Sequence, residues 1–206
     1  ILLEIIIIMK IALTTLILIV FVSINAIANE RDKFISDRWP ISKTQQKYLN
    51  NFEILADANV NTQKKDIQTF DMKVMALHKR KCRKALRVIS MLENYKEWIS
   101  FIKRSDYNQK SKLFTLKADH PVLPTPMIIH IIVDRPKQQG RYNFTFPTGM
   151  FTGLAGYFEI KEFNNQCHFY ATSHWKGKKT KIPDFIIEIF AETLSKIGGQ
   201  MLMRKS

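Results

Sequence analysis

Five histidines, two cysteines and a scatter of carboxylates are the residues of this sequence that could hold a metal, move a proton or attack a carbonyl. A metal needs ligands that converge. His78, His120, His130, His168 and His174 show no H-x-x-x-H spacing, and Cys82 and Cys167 no C-x-x-C. His168 and His174 alternate onto one face with Tyr170 and Thr172, opposite Phe169 and Trp175, which predicts the outer, wetter side of a sheet. A serine or cysteine nucleophile needs a base held by a third group, and no G-x-S-x-G elbow is present. Gly149, Gly153 and Gly156 surround Thr152 without opening a helix after a strand, so they suit a bend in a sheet rather than a phosphate cradle. By alternation, only Tyr142 and Glu162 offer an inward acid or base, and both are poorly placed. No catalytic residue, metal or cofactor is expected, and binding is favoured over catalysis.

The formal charge is +14, from 32 basic and 18 acidic residues. Two clusters concentrate it: Lys79, Arg80, Lys81, Arg83, Lys84 and Arg87, and then Lys176, Lys178, Lys179 and Lys181. A single-strand nucleic-acid binder interleaves exposed aromatics with such charge. Here the aromatics alternate toward a core, so no nucleic acid is expected. The first cluster is read as a surface for docking to an anionic membrane, with a merely solvated basic face as the alternative.

The N-terminus carries the strongest local signal. Lys10 follows Met9, an apolar run covers Ile11–Val22, and Ala26-Ile27-Ala28 fits a small-residue cleavage site. Residues 1–28 are read as a signal peptide cleaved before Asn29, with Met9 as the start and 1–8 upstream of it. The mature protein is then periplasmic or secreted. If 1–8 are part of the chain, the alternative is an uncleaved membrane anchor.

These residues need elements to position them. Residues 29–66 read as an N-terminal arm, with a short helix capped by Ser42 and a strand within Phe52–Val60. Phe70–Leu77 alternates as a half-buried strand. Lys81–Met91 has Cys82, Ala85, Leu86 and Ile89 on one helical face, and Glu93–Trp98 is a second short helix. Strands follow at Phe101–Tyr107, Lys112–Ala118, Met127–Asp134, Arg141–Phe146, Leu154–Phe163 and Gln166–Lys176. The last element is a long helix begun by Pro183, with Asp184 and Glu188 at its positive end and a kink expected at Gly198-Gly199. Its wide apolar stripe includes Phe185, Ile186, Ile189, Phe190, Thr193 and Leu194, and it is the element long enough to cover the sheet.

The stretch Asp71–Ser206 resembles the START-like superfamily (SRPBCC, the polyketide cyclase and lipid-transport type, including coenzyme-Q-binding relatives), as a bacterial exported member. The resemblance rests on Val74-Met75-Ala76, Leu92-Glu93-Asn94-Tyr95-Lys96-Glu97-Trp98, Leu123-Pro124-Thr125-Pro126, the run Gly149–Phe158, Trp175-Lys176-Gly177 and Ile182-Pro183-Asp184. Met91 departs from the pattern, standing where many members have Asp. The resemblance implies an α+β helix-grip fold for 67–206: a strongly bent antiparallel sheet of six to seven strands around the C-terminal helix, with two short helices after the first strand. It also implies a hydrophobic small molecule or lipid, such as a quinone or sterol-like species, between sheet and helix. Trp98, Ile129, Ile131, Phe144, Phe146, Phe158, Phe169, Trp175, Phe185, Ile189, Phe190 and Thr193 are the ligand-binding candidates. In that arrangement the first strand runs beside the last, which brings Cys82 and Cys167 together as a candidate disulfide. A cyclase- or hydrolase-type enzyme on a hydrophobic substrate and a ligand-free interaction module are the alternatives. A monomer is favoured.

Overall fold

The computed structural model describes residues 30–63, 66–121 and 125–206, which fall into two units divided between Ile41 and Ser42. The signal-peptide stretch 1–28 lies outside the described residues. In the first unit, residues 30–38 are helical, and the Arg38 guanidinium lies 3.9 Å over the Phe34 ring.

The second unit opens with helix α1 (Lys43–Asn50). Ser42 Oγ accepts from the Gln45 N–H and the Gln45 side chain accepts from the Ser42 N–H, a reciprocal cap. Strands β1 (Leu55–Gln63) and β2 (Ile67–His78) follow. Next come α2 (Cys82–Ile89), a 3₁₀ turn (Leu92–Asn94) and α3 (Tyr95–Trp98). Then come β3 (Ile102–Asn108), β4 (Leu113–Ala118), β5 (Met127–Val133), β6 (Gly140–Thr145), β7 (Ala155–Phe163), β8 (Gln166–Lys178) and α4 (Asp184–Lys205).

The eight strands form one antiparallel sheet in the order β1-β2-β8-β7-β6-β5-β4-β3. This is the helix-grip arrangement with one strand more than expected, and the two short helices follow the second strand. The additional strand, β1, overlaps the strand expected within Phe52–Val60 of the N-terminal arm, but it belongs to the sheet, pairing along its whole length with β2 from Leu55 opposite Met75 to Gln63 opposite Ile67. Its inward residues Ala56, Ala58 and Val60 are small, so its alternation is faint in the sequence.

The helix α4 is held to the sheet in an unexpected way. Among the described residues no strand pairs with the outer edge of β1, and its alternate amides are capped by side chains of α4. Ala58 N–H donates to Glu192 at 3.2 Å, Val60 N–H to Glu188 at 2.7 Å and Thr62 N–H to Asp184 at 2.8 Å. Four helical residues rise ~6 Å and two strand residues ~6.6–6.8 Å. Carboxylates at i, i+4 and i+8 therefore keep step with every second amide. Asp184 also accepts from the Thr62 hydroxyl at 2.7 Å and from buried Gln68 at 2.6 Å, while Gln68 accepts from the Thr180 N–H. The Thr62 and Gln68 hydrogen bonds, with the Lys179 charge, hold the Asp184 carboxyl below the usual carboxylate range. Asp184 stands in the first turn of the helix as expected, and with Glu188 it also satisfies an open sheet edge.

The other edge is closed by the short helices. Ser105 Oγ donates to Glu93 O at 2.6 Å and accepts from the Lys96 N–H at 3.0 Å. The Glu93 carboxylate pairs with Arg135, whose guanidinium also donates to Ser90 O and lies 4.6 Å over the Tyr107 ring. The Arg135 hydrogen bond holds Glu93 below the usual carboxylate range. The Leu92-Glu93-Asn94-Tyr95 segment is thus a clamp for β3 and the β5–β6 connection.

Two glycines permit close approach. A Cβ on Gly156 would overlap Thr172 O of the paired strand and the Phe144 ring. A Cβ on Gly199 would overlap Ile54 Cδ1, so this glycine lets α4, helical throughout from Asp184 to Lys205, lie close to the residue that precedes β1. The convex face is not uniformly wet, contrary to expectation. Leu49 of α1 and Met75 and Leu77 of β2 are buried there, as are His168 and Tyr170; the Phe163 ring meets His168 edge-on at 5.1 Å. Of the two β8 histidines only His174 is exposed, paired with Asp71 at 2.8 Å.

Candidate ligand-binding cavity

The strand alternation puts bulky apolar side chains on the concave face: Phe70, Met72, Val74 and Ala76 on β2, Phe169 and Ala171 on β8, Phe158 and Ile160 on β7, and Phe144 on β6. Sheet curvature keeps α4 from filling the space they enclose. A cavity of about 760 Å³ remains between sheet, α4 and the short helices. That is within the ~300–1,000 Å³ range of small-molecule sites. No described residue that lines it is charged. The polar residues on its wall are few, among them Thr148, Ser173, Ser195 and Tyr95.

The lining side chains reach the surface at one end, where Ile128 and Met150 are exposed, which makes this the open end; the opposite end is sealed beside a disulfide. At the sealed end Cys82, the first residue of α2, is joined by a disulfide to Cys167 of β8, with Cα atoms 4.6 Å apart. The Cys82 N–H donates to the Glu162 carboxylate at 2.8 Å, and the Cys167 N–H donates to Arg80 O. Buried His78 accepts the Arg80 N–H at Nδ1, which leaves the proton of the neutral ring on Nε2, 3.1 Å from Ser206 Oγ. Burial holds the His78 pKa below its ordinary value. At the open end the wall is formed by Thr125 and Pro126 before β5 and by the β6–β7 loop from Thr148 to Phe151. Met150 there is 47% exposed. The loop is braced from inside: the Trp175 indole donates to Thr152 O at 3.0 Å, and the Phe151 ring meets the Trp175 ring edge-on.

Of the residues singled out from sequence, Ile129, Ile131, Phe144, Phe146, Phe158, Phe169 and Phe190 line the cavity together. Trp175 does not, because it is buried beneath the β6–β7 loop. Trp98 packs with Ile99 and Phe101 beside α4, and Thr193 is not on the wall. Phe185 and Ile189 must be corrected outright. They are 58% and 51% exposed on the outer surface of α4. The carboxylate ladder fixes the rotation of the helix, turning Ile187, Ala191 and Leu194 inward in their place. The sequence reading missed Phe114, Val133, Leu92 and Tyr95. The first two were legible as inward positions of their strands; the last two depend on how the short helices dock.

The acid–base groups near the wall are committed to the backbone. The Tyr142 hydroxyl donates to Gln138 O and accepts from the Lys137 and Gln138 N–H groups. Glu162 caps α2. The Tyr95 hydroxyl donates to Ile89 O at 2.7 Å, and burial pushes its pKa up.

No family model matches this sequence, and no curated protein does. Solved structures do match its fold. A START superfamily protein from Mycobacterium smegmatis aligns with a TM-score of 0.53 at 13% identity, over 66% of this chain and 95% of its own. The protein XoxI from Bacillus cereus aligns with a TM-score of 0.51 at 11% identity, over 66% of this chain and 94% of its own. The di-domain ARO/CYC StfQ of the steffimycin biosynthetic pathway aligns with a TM-score of 0.52 at 10% identity, over 66% of this chain and 50% of its own. Eight antiparallel strands curled about a long C-terminal helix, matched by these structures, give this chain the START-like, helix-grip fold.

Proposed function

We propose that this protein is an exported carrier of a lipid-like molecule, held between the concave face of the sheet and α4. The observation that carries this reading is the uncharged wall of the 760 Å³ cavity. Placing a charged group in such surroundings without a partner is costly, whereas each apolar group that leaves water there gains ~25 cal/mol per Å². The body of the ligand is therefore neutral and apolar, a lipid, quinone or sterol-like species, and any polar head lies at the open end. The START superfamily neighbour supports the reading at the level of fold. Export is supported by the expected signal peptide and by the Cys82–Cys167 disulfide, a bond that persists in oxidising compartments.

The test is native purification of the full chain after periplasmic expression, followed by native mass spectrometry and analysis of the extracted lipid. A hydrophobic species near one per protein supports carriage and identifies its class. Protein that is free of lipid and also fails to take up a fluorescent fatty acid or quinone analogue refutes it.

A further inference from the structure

The two basic clusters lie at opposite ends of the sheet, and only one lies at the open end of the cavity. Lys79–Arg87 follows the end of β2 and begins α2, beside the disulfide that seals the cavity. Lys178 is the last residue of β8, opposite Ile67, and Lys179 and Lys181 continue into the turn before α4. The 13 residues of β8 separate the two ends by ~40 Å.

The open end also carries exposed apolar side chains, including three of the seven large ones exposed among the described residues. Met150 projects from the β6–β7 loop, while Phe185 and Ile189 occupy the outer face of the first two turns of α4, next to the three exposed lysines. Three large apolar side chains each about half or more exposed, fringed by cations, match a lipid–water interface carrying negative charge. Apolar tips enter the acyl boundary, and the ammonium groups stay among the headgroups.

Building on the carrier reading, we propose that the open end, through Met150, Phe185, Ile189, Lys178, Lys179 and Lys181, is the face that docks on an anionic bilayer, and that the α2 cluster is not. Docked this way, the cavity opens onto the membrane, so a lipid passes between them without crossing bulk water.

The experiment is sedimentation of the full-length protein, signal peptide removed in vivo, with vesicles of 30% phosphatidylglycerol in phosphatidylcholine. Loss of three lysines near the surface at roughly fivefold each should weaken binding ~100-fold in Lys178→Gln/Lys179→Gln/Lys181→Gln. Phe185→Ser/Ile189→Ser should weaken it at least tenfold, and these sites are exposed enough that folding survives. Arg83→Gln/Lys84→Gln/Arg87→Gln removes the same charge from α2 and should stay within twofold of the parent. Three results would overturn the proposal: no binding by the parent protein, loss confined to the α2 variant, or a dimer in light scattering that Phe185→Ser/Ile189→Ser converts to monomer. Lipid content after purification is read separately. A variant that keeps its lipid but not its vesicle binding bears on docking alone, while a parent protein without lipid bears on the carrier reading.

Discussion

Glu188→Ala should be among the more destabilising substitutions at a polar position of α4. Its carboxylate accepts the Val60 N–H at 2.7 Å, on an edge that no other described strand satisfies. A hydrogen bond to a charged group contributes ~1.5–3 kcal/mol, and the amide left behind is partly buried. In a domain of this size, 2 kcal/mol lowers Tm by about 4–8 °C. Glu192→Ala should cost less, because its bond to the Ala58 N–H is longer, at 3.2 Å. Lys196→Ala is the comparator: it removes only the exposed Glu192–Lys196 ion pair, an i,i+4 contact worth about 0.3–0.5 kcal/mol. Glu188→Gln keeps an oxygen acceptor and should fall between the parent and the alanine variant. Urea unfolding measures the cost, and amide exchange locates it: Val60 should lose protection in Glu188→Ala while central β8 amides keep theirs. If Glu188→Ala is no more destabilising than Lys196→Ala, and Val60 stays protected, the ladder does not hold α4 to β1 and apolar packing alone sets the helix.

Three further outcomes follow from the same structure. Cys82→Ala/Cys167→Ala opens a link spanning 85 residues, for which loop-closure entropy gives about 4.5 kcal/mol; thermal unfolding with and without reductant should show a large drop in the parent and none in the variant. His78 is held neutral by burial, so its contribution is full above its ordinary pKa of 6.5 and is lost as pH falls through the lowered folded value; the urea midpoint should decline below about pH 6.5, and a flat profile from pH 7.5 to 5 would contradict this. Ala171→Glu places a carboxylate on the uncharged cavity wall and should reduce lipid retention at least tenfold with the far-ultraviolet spectrum unchanged; undiminished retention would mean that the ligand lies elsewhere.

Local pattern was enough for most elements. The alternation of Phe70, Met72, Val74 and Ala76 marked β2, and the spacing of Cys82, Ala85, Leu86 and Ile89 marked the buried face of α2; both faces lie where the pattern put them. Seven of the twelve ligand-contact candidates line the cavity, nearly all from strands, since a strand has two faces and one inward residue fixes the rest. The failures lie where position depends on docking. An α-helix can turn about its axis by any angle, and α4 is apolar on most sides, so its composition did not say which stripe faces in. The carboxylates at 184, 188 and 192 decided that by meeting the edge of β1, a strand legible in the sequence as part of the N-terminal arm but not as a member of the sheet. Trp175 has the right parity for the cavity, yet a loop from a distant part of the chain folds over it. Which basic cluster stands at the open end was likewise beyond the sequence. Both are runs of lysine and arginine, and only the course of β8 from the sealed end to the open one tells them apart. The chain's own periodicity determined which side chains seek the interior; the tertiary structure decided where that interior stays empty, because emptiness depends on the curvature of eight strands and the rotation of one helix acting together.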